Sequence, residues 1–331
     1  MVPSLAYSAG MTQAVPRLAR VLDGGLLSTV QDLGRRGAAW MGVSPSGAAD
    51  GLSARMANRL LHNDDNAALL ETTLSGISLE LTCAARIAVT GADAPLIAAG
   101  QELPLWRAHA LPAGTRLTIG AATLGVRNYL AFDGGIETPP VMGSCSTDVV
   151  SEFGGHLGRR LQRGDVFALK APGDADEDMR PRDAAASRAL TRLTPDMLST
   201  LRDHVLHRPA LLRVLPGPHA QRIAPRSRAS LFGQAYRVSI HSNRQGLRLE
   251  GQPLAAGAAV ELLSVGVCAG CVQLPNDGLP ILLLSEHQTT GGYPIVLCVI
   301  SADVARAAQL APGDEMRFER TSYADAAKIL V

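Results

Sequence analysis

Two short apolar runs, Ile281-Leu282-Leu283-Leu284 and Ile295-Val296-Leu297-Cys298-Val299-Ile300, stand out along the chain, separated by polar and glycine-rich residues. Each run is bounded by Pro or polar residues, which predicts two buried strands. Tyr236, Val238 and Ile240 alternate with polar neighbours, and Val260 with Leu262 does the same on a shorter scale, as half-buried strands do. Three segments carry helical signals instead. Leu52, Met56 and Leu60 recur at i, i+4 and i+8 behind Asp50, predicting a capped helix from Leu52 to Leu61. Thr194 as N-cap, Pro195 at the first helical position and Asp196 in the first turn open a second helix, with Met197, Leu198, Leu201 and Val205 on one face. A third follows Ser301 and stops at Pro312-Gly313. Short strands with isolated helices predict a mainly β protein of barrel-like domains rather than a doubly wound sheet.

A length of 331 residues favours two domains. Between Lys170 and Arg188 the chain turns polar and charged, with too little apolar surface to order itself, and reads as a linker. The expected organisation is a disordered N-terminal extension at 1–17, a first domain at 18–170, a linker at 171–192 and a second domain at 193–331. Met1 to Pro16 has no basic segment followed by an apolar stretch, so it does not read as a secretory signal, and Met11 offers an alternative start. Each half closes on a similar phrase, Leu161-Gln162-Arg163-Gly164-Asp165-Val166-Phe167 and Leu310-Ala311-Pro312-Gly313-Asp314-Glu315-Met316, in which Gly-Asp makes a turn before a strand.

Composition narrows the function. Apolar residues make up 47% and aromatics 4%, with 33 Gly and 20 Pro, which fits many short elements joined by tight turns. Lys plus Arg is 31 against 30 Asp plus Glu with no dominant basic run, so the footprint of a nucleic-acid binder is missing. No apolar stretch approaches the roughly 20 residues that cross a bilayer. A soluble protein without nucleic-acid or membrane partners is expected. Five cysteines, an odd number, do not suggest a disulfide framework and fit a reducing cytoplasm. Cys268-Ala269-Gly270-Cys271 has CxxC spacing, but no second such pair or His pair follows it in sequence, so no metal site is expected and the thiols read as ordinary buried ones.

Candidate chemistry concentrates between the two apolar runs, at Glu286-His287-Gln288-Thr289-Thr290-Gly291-Gly292-Tyr293-Pro294. Gly291 and Gly292 let backbone approach a ligand, while Gln288, Thr289, Thr290 and Tyr293 offer uncharged donors and acceptors. Ordinary hairpin chemistry also fits the segment. Glu286 and His287 are candidates for acid or base, or a solvated pair at a strand end. Gln273 opens the preceding turn, Gln273-Leu274-Pro275-Asn276-Asp277-Gly278-Leu279-Pro280. In Ser242-Asn243-Arg244-Gln245-Gly246-Leu247-Arg248-Leu249-Glu250-Gly251, Arg244 and Arg248 flank a glycine turn and can clamp a carboxylate, or pair with Glu250 at the surface. Arg35, Asp50 and Asn58 stand beside further glycine turns, where ionic and amide groups bind carboxylate or phosphate. Ser144, Ser146 and Thr147 can place hydroxyls and backbone N–H groups around an anion, but no GxSxG elbow exists and a serine-hydrolase triad is disfavoured.

Taken in order, Thr29-Val30-Gln31-Asp32-Leu33-Gly34-Arg35, Gly42-Val43-Ser44-Pro45-Ser46-Gly47-Ala48-Ala49-Asp50, the Gly143-Ser144-Cys145-Ser146-Thr147 phrase, the Arg244 to Gly251 phrase, the Gln273 turn and Gln288 to Pro294 resemble a known family across Val21 to Phe318. That family holds the carboxyltransferase-like component of bacterial 5-oxoprolinase, KipA and the matching part of the urea carboxylase carboxyltransferase domain. The resemblance implies two cyclophilin-like β-barrel domains. It implies ATP-dependent opening of 5-oxoproline to glutamate, in complex with a KipI-like component and a LamB/YcsF-like component. Within it, Arg244, Arg248 and the N–H groups near Gly291 and Gly292 would stabilise charge on the lactam oxygen, and Gln273, Gln288 and Thr290 would orient the ring. The alternatives are carboxyl transfer in a biotin-dependent urea or amide carboxylase, and a KipA-like regulator that binds a KipI-type kinase inhibitor. No GxxxxGK[ST] loop occurs, so ATP would sit across an interface between components, and without a Met-Lys-Met phrase no covalently attached biotin is expected. Three positions depart from the family pattern: Cys145 replaces an Arg, His62 replaces a Gly, and Asn243-Arg244-Gln245-Gly246 replaces Asp-Arg-Met-Gly.

Overall fold

The computed structural model describes residues 16–173, 194–255 and 262–329. Most of the expected extension, most of the expected linker and Val260 lie outside these residues. The fold is mainly β with a few short helices. Strands up to Leu169 form two sheets. One, of seven strands, runs in the order Ile136–Glu137, Val166–Leu169, Leu18–Asp23, Ser78–Leu81, Arg116–Ile119, Leu96–Ala98, Gln101–Glu102. The other, of five, runs Leu27–Gln31, Leu69–Thr73, Leu124–Phe132, Ala85–Asp93, Ala108–Leu111. Alternation along the strands sends Val21, Leu79 and Leu117 from the first sheet and Val30, Leu70, Val89 and Leu130 from the second into one shared core.

Seven of the later strands close a barrel in the order Ala210–Pro216, Ile295–Val299, Cys271–Gln273, Ile281–Leu283, Gly246–Glu250, Tyr236–Val238, Glu315–Arg320, while Val265–Gly266 and Thr290–Gly291 pair separately. Glu315–Arg320 runs parallel to Ala210–Pro216 and completes the ring. Leu212, Tyr236, Leu247, Val272, Leu282, Val296 and Phe318 fill its centre. The expected alternation through Ile240 is corrected. The strand stops at Val238, a turn closes from Ser242 N–H to the Ser239 carbonyl at 3.1 Å, and Ile240 is exposed.

The Gly-Asp phrases make the same turn in both halves. Gly164 and Gly313 take φ of +95° and +92°. The Gly164 N–H and Asp165 carbonyl bond Val21, and the Gly313 N–H and Asp314 carbonyl bond Val238 in the same two-way pattern. Each Asp side chain accepts from the N–H three residues back, Gln162 at 2.8 Å and Ala311 at 2.9 Å.

The three expected helices form at Gly51–Leu60, Pro195–Leu206 and Ser301–Ala308. Asp50 caps the first by accepting from the Ser53 N–H at 2.9 Å, and Thr194 caps the second from the Met197 N–H at 3.2 Å. Leu52 and Met56 pack with Trp106, Val205, Leu206 and Ala305, so one apolar cluster joins the two halves.

Candidate functional site

Beside that cluster lies a buried polar junction. Glu71 sits in the strand Leu69–Thr73, and its Oε2 accepts from the Ala49 N–H and the Tyr129 hydroxyl, each at 2.9 Å. Arg244 reaches it from the barrel. Nη1 donates to Glu71 Oε1, Nε to Glu286 Oε1 at 2.8 Å and Nη2 to the Gly47 carbonyl at 2.7 Å. Gln309 knits the same junction from the end of the Ser301–Ala308 helix. Its Nε2 donates to Asp50 Oδ2 at 2.8 Å and its Oε1 accepts the Val126 and Arg127 N–H groups at 2.9 and 3.0 Å. Arg127 donates to the Ala308 carbonyl and stands 3.6 Å from Glu71.

Two glutamates face two arginines there, so the buried charges cancel. Burial pushes the Glu71 carboxyl up, but Arg244 and Arg127 outweigh it and hold the group below its ordinary value. Burial would lower Arg244, yet Glu71 and Glu286 raise it. Asp50 lacks such a cation and burial raises it.

Arg244 and Arg248 are not brought together. The turn closed by Asn243 N–H to the Gly246 carbonyl at 3.1 Å breaks the strand's phase, so Arg244 turns inward while Arg248 is exposed on the strand Gly246–Glu250. Among the described residues Arg248 has no carboxylate partner, and the expected pair with Glu250 does not form. Of the two arginines that the sequence offers as a carboxylate clamp, Arg244 is a buried pin and Arg248 a surface guanidinium.

The Glu286 to Pro294 ribbon is held at several points. The Glu286 N–H bonds the Arg244 carbonyl at 2.9 Å, Thr290–Gly291 pairs with Val265–Gly266, and the Leu274 N–H bonds the Pro294 carbonyl at 2.9 Å. Glu286 and His287 are buried, whereas Gln288, Thr290, Gly292 and Tyr293 are exposed and Thr289 is half-buried. His287 Nδ1 donates to the Gln288 carbonyl at 2.7 Å. Gln273 is buried against the ribbon: a Cβ on Gly291 would stand 2.3 Å from Gln273 Nε2. Gln273 Oε1 accepts from Gln288 Nε2 at 3.3 Å, but Gln273 Nε2 meets no acceptor among the described residues. A cavity of about 300 Å³ lies apart from these residues, at the barrel mouth between Val214, Ile223, Phe232 and Arg320.

The N-terminal candidates do not converge on the ribbon. Ser144 and Ser146 donate to Asp32, and Thr147 to the Val30 carbonyl at 2.9 Å. Arg35 donates to the Val141 and Ser146 carbonyls and stacks on Phe153 at 4.5 Å. Asn58 Nδ2 donates to the Asp65 and Ala67 carbonyls at 3.3 and 2.9 Å. The expectation of an anion site at these hydroxyls is corrected, because internal acceptors take them. Asp50 alone of this group reaches the junction. Glu71 and Gln309 escaped the sequence reading. The signal for Glu71 was a charge directly behind the apolar run Ala67-Ala68-Leu69-Leu70, which demands a buried partner.

Residues 41–320 match the family described as carboxyltransferase domain, subdomain A and B. The chain belongs to that family. It is 37% identical over 311 residues to the 5-oxoprolinase C subunit of Escherichia coli (strain K12), covering 93% of each chain. It is 32% identical over 318 residues to the 5-oxoprolinase C subunit of Haemophilus influenzae, again covering 93% of each. Its fold matches the crystal structure of the K. lactis urea amidolyase with a TM-score of 0.85 and 27% identity, over 96% of this chain and 19% of that one. Two β units joined at a buried polar junction are thus the architecture of this carboxyltransferase-family chain. No helix among the described residues is long and apolar enough to cross a membrane.

Proposed function

We propose that the chain is the C subunit of a cytoplasmic, ATP-dependent 5-oxoprolinase, which opens the lactam of 5-oxo-L-proline to L-glutamate together with a KipI-like component and a LamB/YcsF-like component. The Gln273 carboxamide carries this reading. It is buried, set against Gly291, and its Nε2 has no acceptor among the described residues. Leaving a buried donor unmet costs about 1–3 kcal/mol, and the carbonyl of a small planar amide entering along Gly291 and Gly292 removes that cost. The relatives that match over nearly their full length are C subunits of 5-oxoprolinase.

Amide resonance deactivates a lactam carbonyl, so transfer of the ATP γ-phosphoryl group to its oxygen, with ADP leaving, opens the carbon to water. The C–N bond then breaks as the nitrogen takes a proton and leaves as the amine, and a second water releases phosphate from the resulting acyl phosphate to give glutamate. Negative charge gathers on the lactam oxygen, and Gln273 Nε2 with nearby ribbon N–H groups opposes it. Gln288, Thr289, Thr290 and Tyr293 edge the ring, and His287, whose Nδ1 is tied to the Gln288 carbonyl, has Nε2 left to accept a proton from water. Arg244 and Glu286 set the ribbon's position rather than touch substrate. With Ser144, Ser146 and Thr147 turned to internal acceptors, we place the nucleotide across the interface with a partner component.

A partner face fits the loops that Arg35 ties together. Trp40 is 83% exposed, and Met41, Met142, Val150 and Leu157 are exposed on the same pair of loops. Apolar side chains gathered in this way mark protein interfaces. A second reading, carboxyl transfer to a small amide with carboxybiotin brought by a separate protein, draws support from the fold shared with urea amidolyase.

The test mixes the purified components with 5-oxoproline and ATP and measures glutamate. Turnover should require this chain and fall when Trp40→Asp weakens assembly. Equal glutamate without the chain would overturn the assignment.

A further inference from the structure

Cys268, Ala269, Gly270 and Cys271 form a tight turn: the Cys271 N–H donates to the Cys268 carbonyl at 3.1 Å, and Gly270 takes φ +90° at the third position. Such a turn holds its end Cα atoms within about 7 Å, close to the span that a disulfide bridges. The two sulfurs already stand 3.5 Å apart. Cys271 opens the strand Cys271–Gln273, and its antiparallel neighbour across the barrel wall is Cys298. Tertiary structure therefore adds to the CxxC pair a third thiol, distant in sequence, and His287 stands close by. Among the described residues no group of three or more His, Cys, Asp or Glu side chains is arranged to hold a metal ion.

The three thiols differ in access. Cys268 is exposed, Cys298 half-buried and Cys271 buried. They differ in acidity as well: the neighbouring Cys268 and Cys298 sulfurs hold Cys271 well below the ordinary thiol value, and Cys268 and Cys298 are pushed up. One thiol reaches solvent and the other, behind it, is ready to displace whatever the first has captured.

We propose that Cys268 and Cys271 form a dithiol site that exchanges with low-molecular-weight disulfides and closes to a Cys268–Cys271 bond. The Cys268 thiol, 3.5 Å from the Cys271 sulfur, gives up its proton toward it and attacks as thiolate one sulfur of the small disulfide. The first small thiolate leaves, takes the proton Cys268 gives up, and a mixed disulfide stands on Cys268. The Cys271 sulfur, beside its strand neighbour Cys298, then attacks the Cys268 sulfur. The second small thiolate leaves and takes up the proton that Cys271 had released. Two protein thiols are oxidised and one small disulfide is reduced to two thiols, so no other electron acceptor is required. The same strand ends at Gln273, so the site lies two residues from the carboxamide set against Gly291.

The test incubates the native full-length chain with mixtures of oxidised and reduced glutathione, alkylates the remaining thiols under denaturing conditions and maps them by peptide mass. Loss of two alkylation sites confined to Cys268 and Cys271, reversed by excess reduced glutathione, is the expected result. Cys271→Ser should accumulate a stable mixed disulfide on Cys268, and Cys298→Ser should close the bond several-fold more slowly at neutral pH. Cys268→Ser, at an exposed turn position that leaves folding intact, should form neither product. Five alkylated cysteines in the oxidised wild-type chain, or a Cys271→Ser chain with no glutathione on Cys268, would overturn the proposal.

Discussion

Gln273 and Gly291 are coupled as donor and clearance: the carboxamide occupies the space in which a Cβ on Gly291 would sit. Gln273→Leu removes a buried donor that has no partner among the described residues, so it should leave stability unchanged or slightly raised while kcat/KM for 5-oxoproline falls about 10-fold, the size of one lost hydrogen bond. Urea unfolding beside a glutamate assay separates the two effects, and a loss of stability equal to the loss of activity would refute the role. Gly291→Ala should cost about 1–3 kcal/mol through overpacking, read as a lower urea midpoint. The sequence named both residues, but it did not show that Gln273 has a vacant donor or that Arg244 has none, because hydrogen-bond partners distant in sequence decide that.

The elements were legible wherever capping chemistry is local. The Gly51–Leu60 helix ends as local rules require: the Asn63 N–H bonds the Asn58 carbonyl at 3.0 Å and the His62 N–H bonds the Arg59 carbonyl at 3.1 Å. His62 then takes φ +60°, the left-handed region that favours glycine, which accounts for the Gly in the family pattern at this position. His62→Gly should therefore stabilise the chain by about 1 kcal/mol, and differential scanning calorimetry showing no rise in Tm would contradict it. Asp50→Ala should act in the opposite direction, costing at least the ~1 kcal/mol of a lost N-cap, because the same carboxylate also holds Gln309. Ile240 departs from the alternation that predicts it, since the apolar pattern continues in the sequence after the sheet hydrogen bonds have stopped.

The whole molecule is held at the junction of its two β units by ions that cancel only as a set. Arg244→Met leaves Glu71 and Glu286 buried with one cation fewer, and should destabilise the chain by about 3–5 kcal/mol. The pH dependence has a definite sign. Glu71 is held below its ordinary value, so in the native chain it contributes stability above the unfolded glutamate pKa of about 4.3, and that contribution is lost as pH falls through the folded value. Without Arg244 burial dominates and Glu71 takes up its proton more readily, so the cost of the substitution should shrink from pH 7 to pH 4. A denaturation series giving the same cost at both pH values would show that the junction is not electrostatic.

The sequence by itself determined what depends on neighbours a few residues away: the helix starts at Asp50 and Thr194, the paired Gly-Asp turns, the buried strands and the family phrases. Tertiary structure alone decided which polar groups are free. Strand order brought Glu71 to Arg244, Gln309 to Asp50, Cys298 to Cys271 and Gly291 to Gln273. Residue types and spacing set the supply of donors, acceptors and charges, but burial and long-range pairing settle which remain available to a ligand, since an unmet polar group in the interior is costly and a partner from anywhere in the chain can meet it.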